Sequence, residues 1–144
     1  MIYLDSCALV KLLLNEKESP ALKQFLDGRR TEMVSCQLAV TEVIRVVRRS
    51  CYDAQRQLTV EQSVLDHRLE LAGRLLDRID LIVVNRSVFL AAAAFADDPL
   101  VGSLDAIHLA SARTIGRDLS AFVTYDRALA RAASAVGLPL TQPA

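Results

Sequence analysis

Short apolar runs alternate with helix-period segments along this chain, and that alternation restricts the fold more than any other feature. Residues 1–4, 33–35, 81–84 and 122–124 are short runs rich in aliphatic and aromatic side chains, each followed by a segment with helical signals. Such runs read as strands, and strands separated by helices imply crossovers between parallel neighbours. The expected fold class is therefore α/β: a three-layer α/β/α sandwich with a mainly parallel central sheet of four to five strands and right-handed crossovers. Residues 138–140 supply the short fifth strand. With 144 residues the chain is long enough for one real core and too short for two ordinary domains, so 1–144 is expected to be a single domain.

The helical segments carry their own punctuation. A short helix is expected over 8–14, and Ser19-Pro20 starts another by N-cap and first-turn proline logic, with Gly28 ending it. Val40, Val43, Ile44 and Val47 recur at i, i+3, i+4 and i+7 and read as a core face, while Glu42, Arg45 and Arg49 share a different face of the same helix. Thr59 with Gln62 forms a capping-box pattern ahead of a stripe of Val64, Leu65, Leu69, Leu71, Ala72, Leu75 and Leu76. The Ala-rich run 88–96 is too short to cross a bilayer and reads as a buried helix. Asp97 and Asp98 precede Pro99 in a loop that turn chemistry explains. Ser103 is expected to cap a helix over 104–115 ahead of Gly116, and Asp126 to open a last helix ending at Gly137.

Seventeen basic and seventeen acidic residues cancel, so no global field draws the chain to nucleic acid or membrane and any such contact is local. The basic residues are mostly Arg, with Lys11, Lys17 and Lys23 the lysines, and Arg is the better bidentate partner for phosphate. A nucleotide-composition bias explains the Arg excess equally well. Cys7, Cys36 and Cys51 are odd in number and lack Cys-x-x-Cys spacing, which supports neither a disulfide framework nor a zinc site and favours a reducing cytoplasm. No basic region precedes the first apolar residues, as a signal peptide would require.

Four acids stand beside these apolar segments: Asp5, Glu42, Asp105 and Asp126. Taken singly, each has a bland explanation. Asp5, Asp105 and Asp126 suit helix caps or first turns, and Glu42 suits a surface pair with Arg45 worth under about 1 kcal/mol. Taken together they change meaning, because in parallel α/β sheets ligands bind beyond the carboxyl ends of the strands. Carboxylates gathered there repel one another and need a cation, and an all-oxygen set suits Mg²⁺ or Mn²⁺ rather than zinc. Metal-assisted hydrolysis of a phosphodiester is the matching chemistry.

The segments Met1-Ile2-Tyr3-Leu4-Asp5-Ser6, Thr41-Glu42, Ser103-Leu104-Asp105-Ala106-Ile107-His108-Leu109-Ala110 and Phe122-Val123-Thr124-Tyr125-Asp126-Arg127-Ala128-Leu129 resemble the acidic motifs of PIN-domain ribonucleases, most closely the VapC toxins of VapBC toxin-antitoxin pairs. The resemblance spans nearly the full chain, in order. It implies that Asp5, Glu42, Asp105 and Asp126 are catalytic and bind Mg²⁺ or Mn²⁺, the last directly or through water, with Ser6 and Thr124 as supporting groups. It further implies a cytoplasmic endoribonuclease toxin that cuts structured RNA such as tRNA or rRNA, leaving a 3′-hydroxyl and a 5′-phosphate. The implied partners are an RNA substrate, a cognate VapB-type antitoxin and a second copy in a homodimer. The alternative is a catalytically inactive PIN-like module that binds RNA or protein.

Cys7 departs from the usual hydroxyl or aliphatic residue after the first acid and reads as a buried filler or an oxidisable neighbour of the site. His108, one turn beyond Asp105, suits a packing or orienting role on a largely apolar helix. Arg45, Arg49, Arg113, Arg127 and Arg131, on helices that carry or adjoin the acids, are candidate RNA-phosphate contacts, with a solvated helix face as the competing explanation for each. Two rivals fail on the residues: a receiver domain needs a phosphoacceptor Asp after the middle strand, where Asn85 stands, and a haloacid-dehalogenase phosphatase needs Asp-x-Asp, where Asp5-Ser6-Cys7 stands.

Overall fold

A computed structural model describes residues 1–27, 31–95 and 100–144. Five strands form one sheet: β1 (Ile2–Leu4), β2 (Met33–Cys36), β3 (Asp80–Ile82), β4 (Ala121–Val123) and β5 (Leu140–Thr141). Their order is β3-β2-β1-β4-β5, and all four pairings are parallel. Strand β1 therefore lies at the centre. The chain winds outward through β2 and β3 on one side of it, then crosses to β4 and β5 on the other.

The helices are α1 (Ser6–Leu13), α2 (Ser19–Asp27), α3 (Leu38–Arg49), α4 (Gln62–Leu76), α5 (Arg86–Ala93), α6 (Ser103–Arg113) and α7 (Arg127–Ala135). Period-2 alternation in the central strands sends side chains to both faces. Ile2, Leu4, Ala121 and Val123 pack with Leu9, Leu22, Val43, Val47, Ala72 and Leu76 from α1 to α4. Tyr3 and Phe122 point the other way and meet Leu109 and Ala112 of α6 with Leu129, Ala132 and Ala133 of α7. Helix α5 joins that second layer by seating Val88 and Ala92 on Ala106 and Ala110 of α6. This is the α/β/α sandwich expected. Each fully buried leucine in these layers is worth roughly 2–3 kcal/mol of apolar burial.

Departures from the sequence pattern concentrate at element ends and outer faces. Val40, Val64 and Leu71 were expected in the core and are each 39% exposed. In α3 the expected Val43 and Val47 are buried and Ile44 packs on the core, but Ala39 takes the inward place at the amino end in place of Val40. The capping box does not form: Glu61 stands at the N-cap of α4 without a side-chain bond, and the Thr59 hydroxyl donates to the Cys51 carbonyl at 3.0 Å. Gly102, not Ser103, is the N-cap of α6. The strand expected over 81–84 begins at Asp80 and stops at Ile82, leaving Val83 58% exposed. The short fifth strand falls at Leu140–Thr141 rather than 138–140.

The Ala-rich helix α5 is not wholly buried, since Phe89 and Leu90 face outward at 52% and 60% exposure. Asn85 caps it, accepting from the backbone of Ser87 and Val88. Ser19 is the first residue of α2, and its buried hydroxyl donates to the carbonyls of Lys11 and Leu14. Gly28 and the turn at Asp97, Asp98 and Pro99 lie outside the described residues. No helix among the described residues is long and apolar enough to cross a membrane.

Candidate active site

The winding direction reverses between β1 and β4, and in open parallel sheets the crevice for a ligand forms at such a point. Leu4 pairs with Val123 at the ends of these two strands, so the residues that follow stand side by side. Asp5 follows β1 and caps α1, accepting from the Ala8 N–H at 2.8 Å. Thr124 follows β4. Its hydroxyl donates to Asp5 Oδ2 and accepts from the Asp126 N–H at 3.1 Å. Asp126 in turn caps α7, accepting from the Leu129 N–H at 2.8 Å. One buried hydroxyl thus links the two strand-end acids. Asp5 and Asp126 therefore cap their helices and stand at the crevice with the same side chains.

Glu42 is half-buried on α3 and is held from two sides. The Ser6 hydroxyl donates to its Oε2, and His108 Nε2 lies 2.9 Å from the same oxygen. The other ring nitrogen of His108 lies 2.8 Å from Tyr3 Oη and 3.7 Å from Cys36 Sγ. Tyr3 is itself clamped by stacking on Phe122, with ring centroids 5.2 Å apart. His108 is 2% exposed and orients a carboxylate, the role its apolar helix suggested. Asp105 lies in the first turn of α6, where the helix dipole favours negative charge. Gly102 lies against it: a Cβ at that position would meet Asp105 Oδ2 at 3.4 Å, ordinary van der Waals contact.

All four acids, together with Ser6, Cys7, Lys11, Glu16, His108 and Tyr125, line one cleft of about 470 Å³. Its electrostatics follow from crowding and burial. Burial pushes the Asp5 carboxyl up from its usual range, against hydrogen bonds from Thr124, Ala8 and Cys7. Burial and then the charge of Asp126 push Asp105 up, with further contributions from Asp5 and Glu42. Burial also works against Glu42, but hydrogen bonds from His108 and Ser6 outweigh it and hold this acid below its usual range. For His108, burial opposes charge, yet contacts with Cys36 and Glu42 prevail and raise the imidazole to about 10. The cleft therefore holds several carboxylates that repel one another.

Cys7 is a structural member of this set. Its sulfur lies 3.0 and 3.1 Å from the Asp5 carboxylate oxygens and accepts from the Tyr125 N–H at 3.1 Å. Burial and Asp5 push its thiol up to about 12, so it stays protonated and a poor nucleophile.

The donor chemistry of the cleft fits a hard cation. Its acids offer oxygen ligands, and the upward push on Asp105 by its neighbours is what an added positive charge would relieve. Among the described residues no three His, Cys, Asp or Glu side chains form a ready-made cage. Asp5 and Glu42 are instead engaged by protein donors. Mg²⁺ commonly keeps several waters and takes one or two carboxylates directly, so an open set of this kind remains compatible with it.

The arginines expected near RNA do not line the acidic cleft. Arg45 and Arg49 line a separate one with Arg48 and Arg56. Arg113 stands over the Phe95 ring at 5.8 Å, whereas Arg127 and Arg131 are exposed on α7. Several cleft residues carry no sequence motif. Lys11 is paired with Glu16 at 2.5 Å and Glu18 at 2.8 Å, and its ammonium lies 4.9 Å from the Tyr125 ring centroid. The i, i+3, i+4 spacing of Cys7, Val10 and Lys11 along α1, directly after Asp5, was the available signal for that rim.

Comparison with known proteins agrees with this geometry. The PIN domain family model matches residues 2–135. Ribonuclease VapC35 of Mycobacterium tuberculosis is 39% identical over 145 residues, covering 99% of this chain and 97% of that protein. Ribonuclease VapC47 of the same species is 36% identical over 146 residues, with the same coverage. Two solved structures share the fold at 15% identity. One is Mycobacterium tuberculosis VapC20, a sarcin-ricin loop cleaving toxin, with TM-score 0.69 over 96% of both chains. The other is a toxin-antitoxin complex from Klebsiella pneumoniae, with TM-score 0.70 over 100% of this chain and 98% of that one.

Proposed function

The chain belongs to the PIN-domain family, within its VapC ribonuclease group, and from that membership and the acidic cleft we propose that it is a Mg²⁺- or Mn²⁺-dependent endoribonuclease acting as the toxin of a toxin-antitoxin pair. The observation that carries the proposal is the convergence of Asp5, Glu42, Asp105 and Asp126, from four separate elements, on one cleft. A purely structural role for each acid would not require that convergence.

In this reading Asp5, Glu42, Asp105 and Asp126 hold the ion, Asp126 directly or through water. The chemistry such an ion supplies when bound is charge stabilisation on the phosphodiester and activation of water. The chain's own groups fix the carboxylates. Thr124 donates to Asp5 and accepts from the Asp126 N–H, while Ser6 and His108, themselves 3.3 Å apart, both engage Glu42 Oε2. Preorganisation of this sort spares the cost of rearranging charged side chains during reaction. The proposed substrate is structured RNA such as tRNA or rRNA. The proposed partners are a VapB-type antitoxin and a second copy of the chain, in the cytoplasm.

The test is cleavage of a mixed tRNA and rRNA pool by purified protein with Mg²⁺ or Mn²⁺. Loss of cleavage in EDTA and in Asp5→Asn is the expected result. Undiminished cleavage by that variant or in EDTA overturns the metal-nuclease reading, and no cleavage by the wild type favours a binding module.

A further inference from the structure

Helix α3 runs from the acidic cleft to a second cleft of opposite charge. Arg45, Arg48 and Arg49 near its carboxyl end line a cavity of about 500 Å³ with Tyr52, Asp53 and Arg56. All six are exposed. Among the described residues none of the four guanidinium groups lies within 4.0 Å of a carboxylate, so no internal ion pair offsets their mutual repulsion. Asp53, the acid among the lining residues, accepts from the Gln57 N–H at 2.8 Å.

The backbone that carries the arginines is well defined. Arg56 has φ of 64°, a conformation disfavoured for a residue bearing a Cβ. A tight hairpin holds it there: Arg56 N–H donates to the Asp53 carbonyl at 3.1 Å, Asp53 N–H to the Gln57 carbonyl at 3.0 Å, and Tyr52 bridges Leu58. The other three sit on a regular helix. By helix geometry Arg49 lies about 20° around the axis from Glu42 and about 10 Å further along it. Val46, between them, still lines the acidic cleft.

We infer that this arginine cleft seats the phosphate backbone of the RNA strand about three stacked nucleotides, at about 3.4 Å each, from the bond cut at the acidic cleft. The inference rests on the ribonuclease reading for the position of that bond. Guanidinium forks match phosphate oxygens bidentately, and the exposed Tyr52 ring beside them offers a stacking face to an unpaired base. The pairing of clefts also answers an electrostatic problem. A chain of zero net charge whose catalytic cleft is acidic has no general attraction for RNA, so a local cationic seat must supply it.

The test is anisotropy of a fluorescent single-stranded oligoribonucleotide in EDTA, where binding is read without cleavage. Arg48→Ala/Arg49→Ala is expected to bind about tenfold more weakly. Its plot of log affinity against log salt should be shallower by about 1.4, or about 0.7 for each lost phosphate contact. Tyr52→Leu should weaken binding with the salt slope unchanged. Arg117→Ala, an exposed arginine in the turn before β4, should bind as the wild type does. Matching melting temperatures establish that each variant is folded. A double variant with wild-type affinity and slope, or a loss no larger than that of Arg117→Ala, overturns the inference. Arginine-dependent binding without cleavage in Mg²⁺ or Mn²⁺ leaves the seat standing and removes the ribonuclease reading. Asp5-dependent cleavage with arginine-independent binding does the reverse.

Discussion

Thr124 joins two candidate catalytic acids through one buried hydroxyl. Thr124→Val keeps the shape and removes both bonds. The Asp5 carboxylate, 3% exposed, then loses a donor that burial makes expensive to lose. The expected cost is about 1–3 kcal/mol in urea or thermal unfolding, with reduced cleavage, while Thr124→Ser stays close to the wild type. Equal stability of the valine variant would remove Thr124 from the supporting set. Thr124 and Ser6 were legible in the sequence because each adjoins a motif acid or lies within two residues of one. Tyr3 and Cys36, which brace His108, were not: they meet it across 105 and 72 residues of chain, and only the folded sheet creates those contacts.

At the scale of elements, the sequence showed helix caps and candidate ligands as competing explanations, and the fold makes them one arrangement. Asp5 and Asp126 cap α1 and α7 with the same side chains that line the cleft. The two roles separate by substitution at Asp126, since Asn caps a helix about as well as Asp and lacks the charge. Asp126→Asn is expected to retain stability and lose cleavage. Asp126→Ala should lose both, with about 1 kcal/mol of destabilisation. Cleavage by the Asn variant at the wild-type rate would reduce Asp126 to a cap. Elements packed directly on the sheet were readable from periodicity, as α3 and the strands β1 and β4 show. The outer face of α5 was not, because an all-apolar run has no polar side to mark what faces water. Caps failed for a similar reason: Ser103 and Thr59 have capping chemistry, but the backbone path places Gly102 and Glu61 at those positions.

For the whole molecule, strand order decides where the acids meet. A chain that starts in the centre of its sheet and winds outward in both directions leaves one reversal point, beside β1 and β4. Alternation of strands and helices announces a parallel sheet but not that order, so the strand-end rule could gather the acids at one edge of the sheet while their meeting point was located only in the fold. The same topology bears on folding. Because β1 contributes Ile2 and Leu4 to one face and Tyr3 to the other, both helical layers rest on one central strand. The layers should therefore unfold together, as one domain over 1–144. Urea unfolding followed by far-ultraviolet circular dichroism and by tyrosine fluorescence should give coincident transitions, the second reporting on Tyr3 in the sheet, Tyr52 by the arginine cleft and Tyr125 at the acidic cleft. Leu9→Ala, in the first layer, should move both curves equally, by about 2–5 kcal/mol. Separated curves, or a Leu9→Ala shift seen by one probe alone, would mean that the layers melt independently and that β1 does not couple them.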